Sequence, residues 1–389
     1  MRSSRSVSLL LALITVLLGV PHTAQAANAE QCTRLLEFRL EGASISRAEL
    51  VPAGSFVADG DYAVQDAGPY AGLEEFCRVA ATLTPSNDSA INMEIWLPPS
   101  AWNGRFMGVG NGAFTGNVRH PAMAGPLARG YAVSSTDTGH SGNTASFGLG
   151  HPEKVADFGW RAVHEMTVAS KQLLAAYYGQ VADYSYWSGC SAGGRQAMVE
   201  AQKFPEDYDG IIAGAPGLDW TGRAAAALRV ARHLQANPEA RLQQPQRELV
   251  YDAALRACDG SDGLRDGLIS QPQQCTFDPA VLACTAGTAS VCLNDAQLNT
   301  VQMLYSSPLN PATGRAITGL FPGSELGWTD LGWTASARAT GLEQFRYLVY
   351  ADESWNIHQF EFGRDIALAE SMDGNTLNAL DPNLEPFFA

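Results

Sequence analysis

YSYWSGCSAGG, at residues 184–194, is the stretch that decides the fold. Its aromatic and β-prone first half predicts a strand, and RQAMVEA at 195–201 predicts a helix directly after it. Between them lies a G-x-S-x-G pattern, in which a serine at the apex of a strained strand-to-helix turn acts as a nucleophile. The glycines leave room around that turn. A plain Gly/Ser turn is the alternative, and the strand and helix on either side favour the nucleophile, Ser191.

A serine nucleophile needs a general base, usually a histidine that a carboxylate orients. With this type of turn the chain order is serine, then Asp or Glu, then His. His233 and His358 are the histidines that follow Ser191, and neither lies where a base is expected. The sequence therefore predicts only part of a catalytic triad.

Strands and helices alternate on both sides of the turn. This alternation predicts an α/β fold with a mostly parallel sheet and helices on both faces. The pattern predicts a helix over 157–178, which stops at Gly179, and strands over 91–97, 105–109, 131–136, 184–188 and 210–215.

A glycine-rich loop follows the predicted strand 105–109. Acyl transfer needs two backbone N–H groups directed at the developing oxyanion. One is expected from Ala192, directly after the nucleophile, and the other from Gly112 or Ala113 in this loop. A simple glycine turn is the alternative.

Composition excludes several classes of function. The chain has 389 residues and a formal net charge of −15, so we expect binding neither to nucleic acid nor to anionic membrane surfaces.

Residues 1–26 have the pattern of an export signal: Arg2 and Arg5, an apolar run over 7–20, and Ala24-Gln25-Ala26 for cleavage. A membrane anchor is the alternative, but the run is short for a bilayer. We therefore expect a secreted or periplasmic protein, in a compartment that permits disulfides.

Seven cysteines follow the signal, which is an odd number. Spacing favours the pairs Cys258/Cys275 and Cys284/Cys292, and Cys32/Cys77 could join the N-terminal region. Cys190 is left over beside the nucleophile. It is either a buried free thiol or the partner of a cysteine beyond residue 389.

The character of the chain changes after Trp220. We interpret 27–220 as the core, 221–380 as an inserted lid domain and 381–389 as the start of a returning core segment. The aromatic residues of the predicted lid either line an aromatic-binding pocket or form the lid's own core; they are Trp328, Trp333, Phe345, Trp355, Phe360 and Phe362.

The predicted lid contains an acidic loop, CDGSDGLRDGL at 258–268. Carboxylates and backbone carbonyls are the oxygen ligands that Ca²⁺ prefers. We expect ligation by the side chains of Asp259, Asp262 and Asp266 and by the carbonyls of Leu264 and Leu268. A solvated acidic turn is the alternative.

Four stretches resemble the tannase and feruloyl esterase family. They are DYSYWSGCSAGGRQAMVEAQKFPEDYDGIIAGAP at 183–216, WNGRF at 102–106 before the glycine loop, CDGSDGLRDG at 258–267 with CTFDP after it, and WNIHQFEFGRD at 355–365. The resemblance implies an α/β-hydrolase fold with a lid inserted after the strand that follows the serine turn. It also implies hydrolysis of galloyl or hydroxycinnamoyl esters, small aromatic molecules, through an acyl-enzyme at Ser191. It implies structural Ca²⁺ at the acidic loop and no organic cofactor.

The chain also departs from the family pattern. In the family, the cysteine before the nucleophile bonds to a cysteine just after the catalytic histidine, and Cys190 fits the first role. The family's catalytic Asp and its His-Cys pair follow the lid on two further strands, but this sequence contains no His-Cys dipeptide. His358 falls in a lid motif and is not assigned as the base. Ala113 stands where the family usually has glycine.

The resemblance thus implies a chain that lacks the last core strands and is inactive or impaired by itself. One alternative is a non-catalytic protein that binds aromatic ligands. Another is a serine hydrolase of different acyl specificity.

Overall fold

The computed structural model describes residues 28–58, 68–285, 291–330, 340–373 and 376–389. The predicted export signal at 1–26 and Trp333 lie outside these residues. Within them, no helix is long and apolar enough to cross a membrane.

A seven-stranded sheet forms the centre of the fold, in the order β1-β2-β3-β5-β4-β6-β7. β5, β4, β6 and β7 run parallel, whereas β1, β2, β3 and β5 pair antiparallel. The expectation of a mostly parallel sheet was therefore wrong for half of the pairings, although the α/β class holds. The strands are β1 Ala43–Val51, β2 Phe76–Leu83, β3 Ile91–Leu97, β4 Arg105–Val109, β5 Ala132–Thr136, β6 Tyr184–Cys190 and β7 Gly210–Gly214.

Helices cover both faces of the sheet. Successive strand residues point to opposite faces, so Phe106 of β4 packs in one hydrophobic cluster and Met107 in another. The Phe106 cluster includes residues of α2, and the Met107 cluster includes residues of α1. The longer helices are α1 His120–Ala128, α2 Ala162–Tyr178, α3 Ala192–Lys203, α4 Trp220–Ala236, α5 Gln244–Cys258, α6 Asp295–Tyr305 and α7 Phe362–Asp373.

β1 and β2 were not predicted, and the burial of β2 does not alternate as it would in a strand with one exposed face. β2 is almost wholly buried and carries a charged residue, Arg78. The Arg78 guanidinium donates to both carboxylate oxygens of Glu94 on β3, at 2.6 and 3.0 Å. Burial alone would raise the pKa of Glu94, but hydrogen bonds from His120 and Arg78 lower it to about 2. This ion pair lets a charged residue occupy a buried strand.

Residues after 220 pack in hydrophobic clusters of their own. One cluster joins the first half of α4 to Phe345, Trp355 and Phe360, and another joins its second half to Trp328. These aromatic residues are buried, and Phe362 packs partly buried against the first cluster. The contacts favour a core role for Trp328, Phe345 and Trp355, whereas Phe360 and Phe362 also line a pocket beside the end of α4. The division into core and lid stays a prediction.

Candidate active site

Ser191 lies at the apex of the turn between β6 and α3. β6 ends at Cys190, α3 begins at Ala192, and Ser191 has φ 60° and ψ −114°. Its backbone N–H donates to the carbonyl of Gly214 on the neighbouring strand β7, at 2.9 Å. Side-chain-bearing residues rarely adopt this backbone conformation, and such strain is typical of active sites. The turn leaves Ser191 exposed above the sheet edge.

The glycines around Ser191 are required by close backbone contacts. A Cβ added at Gly189 would collide with the carbonyl of Gly193. One added at Gly193 would lie 3.1 Å from the Asn111 carbonyl oxygen, and one at Gly194 would lie 2.9 Å from Cα of Pro216. The G-x-S-x-G pattern therefore reflects packing between the turn and its neighbouring loops.

The loop after β4 is bound directly to this turn. The Gly193 N–H donates to the Asn111 carbonyl at 2.8 Å, and the Asn111 N–H donates to Oε1 of Gln196 on α3 at 3.0 Å. The buried Asn111 side chain donates to the carbonyls of Asn117 and Thr136 at 3.0 and 2.9 Å. These bonds fix the two candidate donors that follow, Gly112 and Ala113, relative to the start of α3.

Ala113 has a left-handed backbone, with φ 45°. An L-residue in this region costs roughly 1–2 kcal/mol relative to its usual conformation. Glycine would avoid this conformational cost at position 113. The backbone N–H that is the candidate oxyanion donor is present with either alanine or glycine. Next along the loop, Phe114 packs in a cluster with Ala192 and Trp220, which connects the loop to the first residue of α3.

No histidine among the described residues hydrogen-bonds to the Ser191 hydroxyl. His140, which follows β5, is engaged through both ring nitrogens: Nε2 contacts the Phe114 carbonyl at 2.8 Å and Nδ1 contacts the Thr138 hydroxyl at 3.3 Å. Burial lowers the pKa of His140, and the two contacts of its ring hold the loop in position. The side chain of His358 is exposed, and the other described histidines contact groups away from the turn; they are His120, His151, His164 and His233.

Residues 77–353 match the family model described as tannase and feruloyl esterase. An uncharacterized esterase of Xanthomonas campestris pv. campestris is 38% identical over 302 residues, which are 77% of this chain and 51% of that protein. A probable feruloyl esterase B-2 of Aspergillus flavus is 34% identical, over 80% of this chain and 60% of the relative.

The chain belongs to the tannase and feruloyl esterase family.

Solved structures agree with this assignment. The crystal structure of feruloyl esterase B from Aspergillus oryzae has a TM-score of 0.82 at 30% identity, over 93% of this chain and 72% of that one. Tannin acyl hydrolase from Aspergillus niger has a TM-score of 0.70 at 21% identity, over 92% of this chain and 71% of that one, and shows the fold alone. The fold is therefore that of an α/β-hydrolase. The chain spans about half to three-fifths of the length of the curated relatives named above.

The cysteines of this family member form three disulfides and leave one free thiol. Cys32–Cys77, Cys258–Cys275 and Cys284–Cys292 are bonded, with Cα–Cα distances of 5.5, 5.5 and 5.0 Å. Cys190 carries a free thiol. Its environment is exposed, so it is not the buried thiol that was one alternative. A bond from Cys190 to a cysteine after the catalytic histidine stays a prediction.

The acidic loop is stabilised internally by its own aspartates. Oδ1 of Asp259 accepts from the N–H groups of Asp266 and Gly267 at 3.2 and 3.1 Å. Asp262 accepts from the Leu264 N–H at 2.9 Å, and Asp266 accepts from the Leu268 N–H at 3.1 Å. The side chains of Leu264 and Leu268 are exposed. The three aspartates do not bring ligand oxygens within 4.8 Å of one another in the described loop, so calcium there stays a proposal.

A second group of ionisable residues was not predicted as a site. His164 of α2, Glu200 of α3 and Asp207 place ligand atoms within 4.8 Å of one another. Nδ1 of His164 lies 2.7 Å from Oδ2 of Asp207, so this histidine is satisfied, as expected for a structural residue. Burial and the neighbouring Asp207 raise the pKa of Glu200 well above its usual range. The group connects α2 to the helix behind the serine turn.

Arg195 on α3 is a further residue that sequence analysis missed. It is fully buried, and its guanidinium donates to the carbonyls of Gly159 and Phe158 at 2.7 and 3.0 Å. Its Cζ also lies over the ring of Trp220, 5.4 Å from the centroid. A charged residue one turn into a helix gives no local sign of burial. Only the tertiary contacts identify it as a support of the serine turn.

Proposed function

We propose that this chain carries the nucleophile and oxyanion-binding part of a serine carboxylic ester hydrolase that acts on esters of aromatic acids. The observation that carries the proposal is the Ser191 turn, exposed at positive φ and bound through Gly193 to the loop after β4. Membership of the tannase and feruloyl esterase family supports galloyl or hydroxycinnamoyl esters as the substrate class. A feruloyl esterase and a tannin acyl hydrolase share the fold.

The reaction proceeds in two steps of acyl transfer. Ser191 Oγ attacks the ester carbonyl, and the base takes the hydroxyl proton and delivers it to the leaving alcohol. The backbone N–H of Ala192, with that of Gly112 or Ala113, stabilises the oxyanion. Ala192 begins α3, so its N–H belongs to the positive end of the helix dipole. Water then attacks the acyl-enzyme and releases the aromatic acid.

The general base and its carboxylate partner are proposed to come from outside the described residues, because no described histidine hydrogen-bonds to the Ser191 hydroxyl. Loss of these groups from a triad costs on the order of 10⁴–10⁶ in rate. We therefore expect these 389 residues by themselves to hydrolyse aromatic esters poorly. The further proposals are export through residues 1–26, a core over 27–220, a lid over 221–380 and structural Ca²⁺ at the acidic loop.

The test compares Ser191→Ala with Ser188→Ala, a matched control three residues earlier on β6. Release of ferulate from methyl ferulate and of gallate from methyl gallate is measured by chromatography. The proteins are the 389-residue chain and, where the coding DNA continues beyond Ala389, the longer product. We expect the active form to lose at least about 10⁴ in rate with Ser191→Ala and to keep its rate with Ser188→Ala.

Full activity of the Ser191→Ala variant would overturn the proposed nucleophile. Fast turnover by the 389-residue chain would overturn the proposed absence of the base. Binding of both esters without turnover by any form would favour the non-catalytic alternative.

A further inference from the structure

Three metal-ligand side chains converge behind the serine turn, between α2, α3 and the loop before β7. His164 belongs to α2, Glu200 to α3 and Asp207 to that loop. A ring nitrogen of His164 and one carboxylate oxygen from each acidic residue all lie within 4.8 Å of one another. An imidazole together with carboxylates is a donor set that binds divalent transition-metal ions such as Zn²⁺.

Glu200 distinguishes this group from an ordinary ion pair. Its side chain is fully buried, and neither of its carboxylate oxygens has a hydrogen-bond partner among the residues that the structure describes. Buried carboxylates are normally paired or coordinate a metal, because desolvation without a partner is costly. Glu200 therefore lacks the partner that a buried carboxylate needs.

The groups around Glu200 do not supply that partner. Lys171 uses its ammonium on the backbone, where Nζ donates to the Asp207 carbonyl at 2.6 Å. The Tyr208 hydroxyl contacts the Thr167 hydroxyl at 2.5 Å. The side chain of Asp207 brings a second negative charge next to the first. The two carboxyl groups therefore need a positive group between them, which is either a proton or a metal ion.

The group is open to solvent on the side of the histidine. The side chain of His164 is 27% exposed and that of Asp207 is 11% exposed, so an ion can enter and a water molecule can complete its coordination. The His164 ring stacks on Phe204 with the centroids 3.8 Å apart, and its Nδ1 lies 2.7 Å from Oδ2 of Asp207. Ligand atoms about 2.1 Å from a tetrahedral zinc ion are about 3.4 Å apart. A shift of about 0.7 Å by the half-exposed ring meets that requirement.

We propose that His164, Glu200 and Asp207 bind a zinc ion through Nδ1 of the histidine and one oxygen of each carboxylate, with water as a fourth ligand. The ion joins α2 to α3 and to the loop before β7. Glu200 lies near the end of α3, about 13 Å along the helix from Ser191, so the ion stabilises the helix behind the nucleophile and does not contact an ester. The proposal is therefore independent of the proposed function.

In the metal-free chain, a proton takes the place of the ion between the carboxyl groups. This agrees with the raised pKa of Glu200. Zinc and the proton therefore compete for the same space, and a direct measurement of zinc binding distinguishes them.

The test titrates zinc into the chelator-treated chain, without a histidine tag, by isothermal titration calorimetry. Excess calcium is present so that the acidic loop at 258–268 does not compete for zinc. The background is Cys190→Ser, because the free thiol is a further zinc ligand. We expect saturable binding of one zinc ion per chain.

His164→Gln and Glu200→Gln each remove one ligand. Residues that only support a metal ligand contribute 10- to 100-fold to metal affinity, so each variant should weaken zinc binding at least about tenfold. His151→Gln and Glu206→Gln are the matched controls and should keep the affinity. His151 also contacts a carboxylate, that of Asp88 at 3.0 Å, and Glu206 is exposed. Far-UV circular dichroism checks that each variant is folded.

X-ray absorption at the zinc edge identifies the ligands without any substitution at the site. We expect imidazole scattering and a shell of nitrogen and oxygen atoms at about 2.0–2.1 Å. Absence of saturable zinc binding overturns the proposal and leaves a proton shared by the carboxyl groups. Binding that both His164→Gln and Glu200→Gln retain also overturns it, as does a bound zinc ion without imidazole scattering.

Discussion

Gly110→Ala tests how closely the loop after β4 and the serine turn are packed. A Cβ at Gly110 would lie 2.6 Å from Cα of Gly193, 3.0 Å from Oε1 of Gln196 and 3.0 Å from a ring carbon of Trp187. Ordinary contact begins at 3.4 Å, so the two backbones must separate by about 0.8 Å. Neither can move freely, because Gly110 donates to the Ser188 carbonyl at 3.1 Å and Gly193 donates to the Asn111 carbonyl at 2.8 Å.

The size of the effect follows from these contacts. Overpacking a filled site costs roughly 1–3 kcal/mol. Losing one of the two hydrogen bonds adds about 1 kcal/mol. We therefore expect Gly110→Ala to lower the free energy of unfolding by about 3 kcal/mol, measured by urea denaturation with tryptophan fluorescence and circular dichroism.

Gly112→Ala is the matched control in the same loop. A Cβ at Gly112 has no atom within 4 Å, and its backbone is outside the left-handed region. Its free energy of unfolding should stay within about 0.5 kcal/mol of the wild-type value. If Gly110→Ala unfolds at the wild-type urea concentration, or if Gly112→Ala is equally destabilised, the loop and the turn are not packed as described here.

Two further predictions concern ionisable groups. The pKa of Glu200 is raised in the folded state. The stability that this residue provides to the fold is therefore complete below the unfolded pKa, near 4.3. It declines by up to about 1.4 kcal/mol per pH unit as the pH rises toward the folded pKa. In urea denaturation, the free energy of unfolding of Glu200→Gln should therefore increase relative to that of the wild type between pH 5 and pH 8. The exposed control Glu206→Gln should show no such increase. Parallel pH profiles for Glu200→Gln and the wild type would show that Glu200 is ionised. Calcium should raise the midpoint temperature of thermal unfolding of the wild-type chain. The double variant Asp259→Asn, Asp266→Asn should abolish that increase. If the midpoint temperature responds neither to calcium nor to EDTA, the acidic loop is a solvated turn.

The serine turn could be predicted because its determinants are local. A strand, a turn too tight for side chains and a helix follow one another within twenty residues, at 184–203. The glycines at 189 and 193 are needed for contacts with adjacent backbone, so the steric requirement is visible as a sequence pattern. The strands at 91–97 and 105–109 were predicted with the observed bounds for the same reason.

The antiparallel half of the sheet could not be predicted in the same way. β1 and β2 depend on contacts between strands, such as the ion pair between Arg78 of β2 and the Glu94 carboxylate of β3. The Cys32–Cys77 disulfide was suggested by spacing, yet spacing does not reveal that Cys77 lies in a strand. Likewise, the residues that support the turn from behind, Arg195 and Glu200, occupy ordinary helical positions whose burial depends on packing against α2 and Trp220.

The contacts around the turn explain how nucleophile and oxyanion donors can be arranged before substrate arrives. Asn111 joins the loop to α3 through its backbone N–H and its carbonyl, and its side chain joins the same loop to β5. His140 supports the far end of the loop at Phe114, whose ring packs against Ala192. These bonds lie within 108–200, so the positions of the proposed donors depend on the loop after β4, α3 and the sheet. Preorganised donors of this kind stabilise a developing charge without reorganisation during the reaction. The hydrogen bonds from Asn111 and His140 therefore hold the proposed donors in place relative to Ser191.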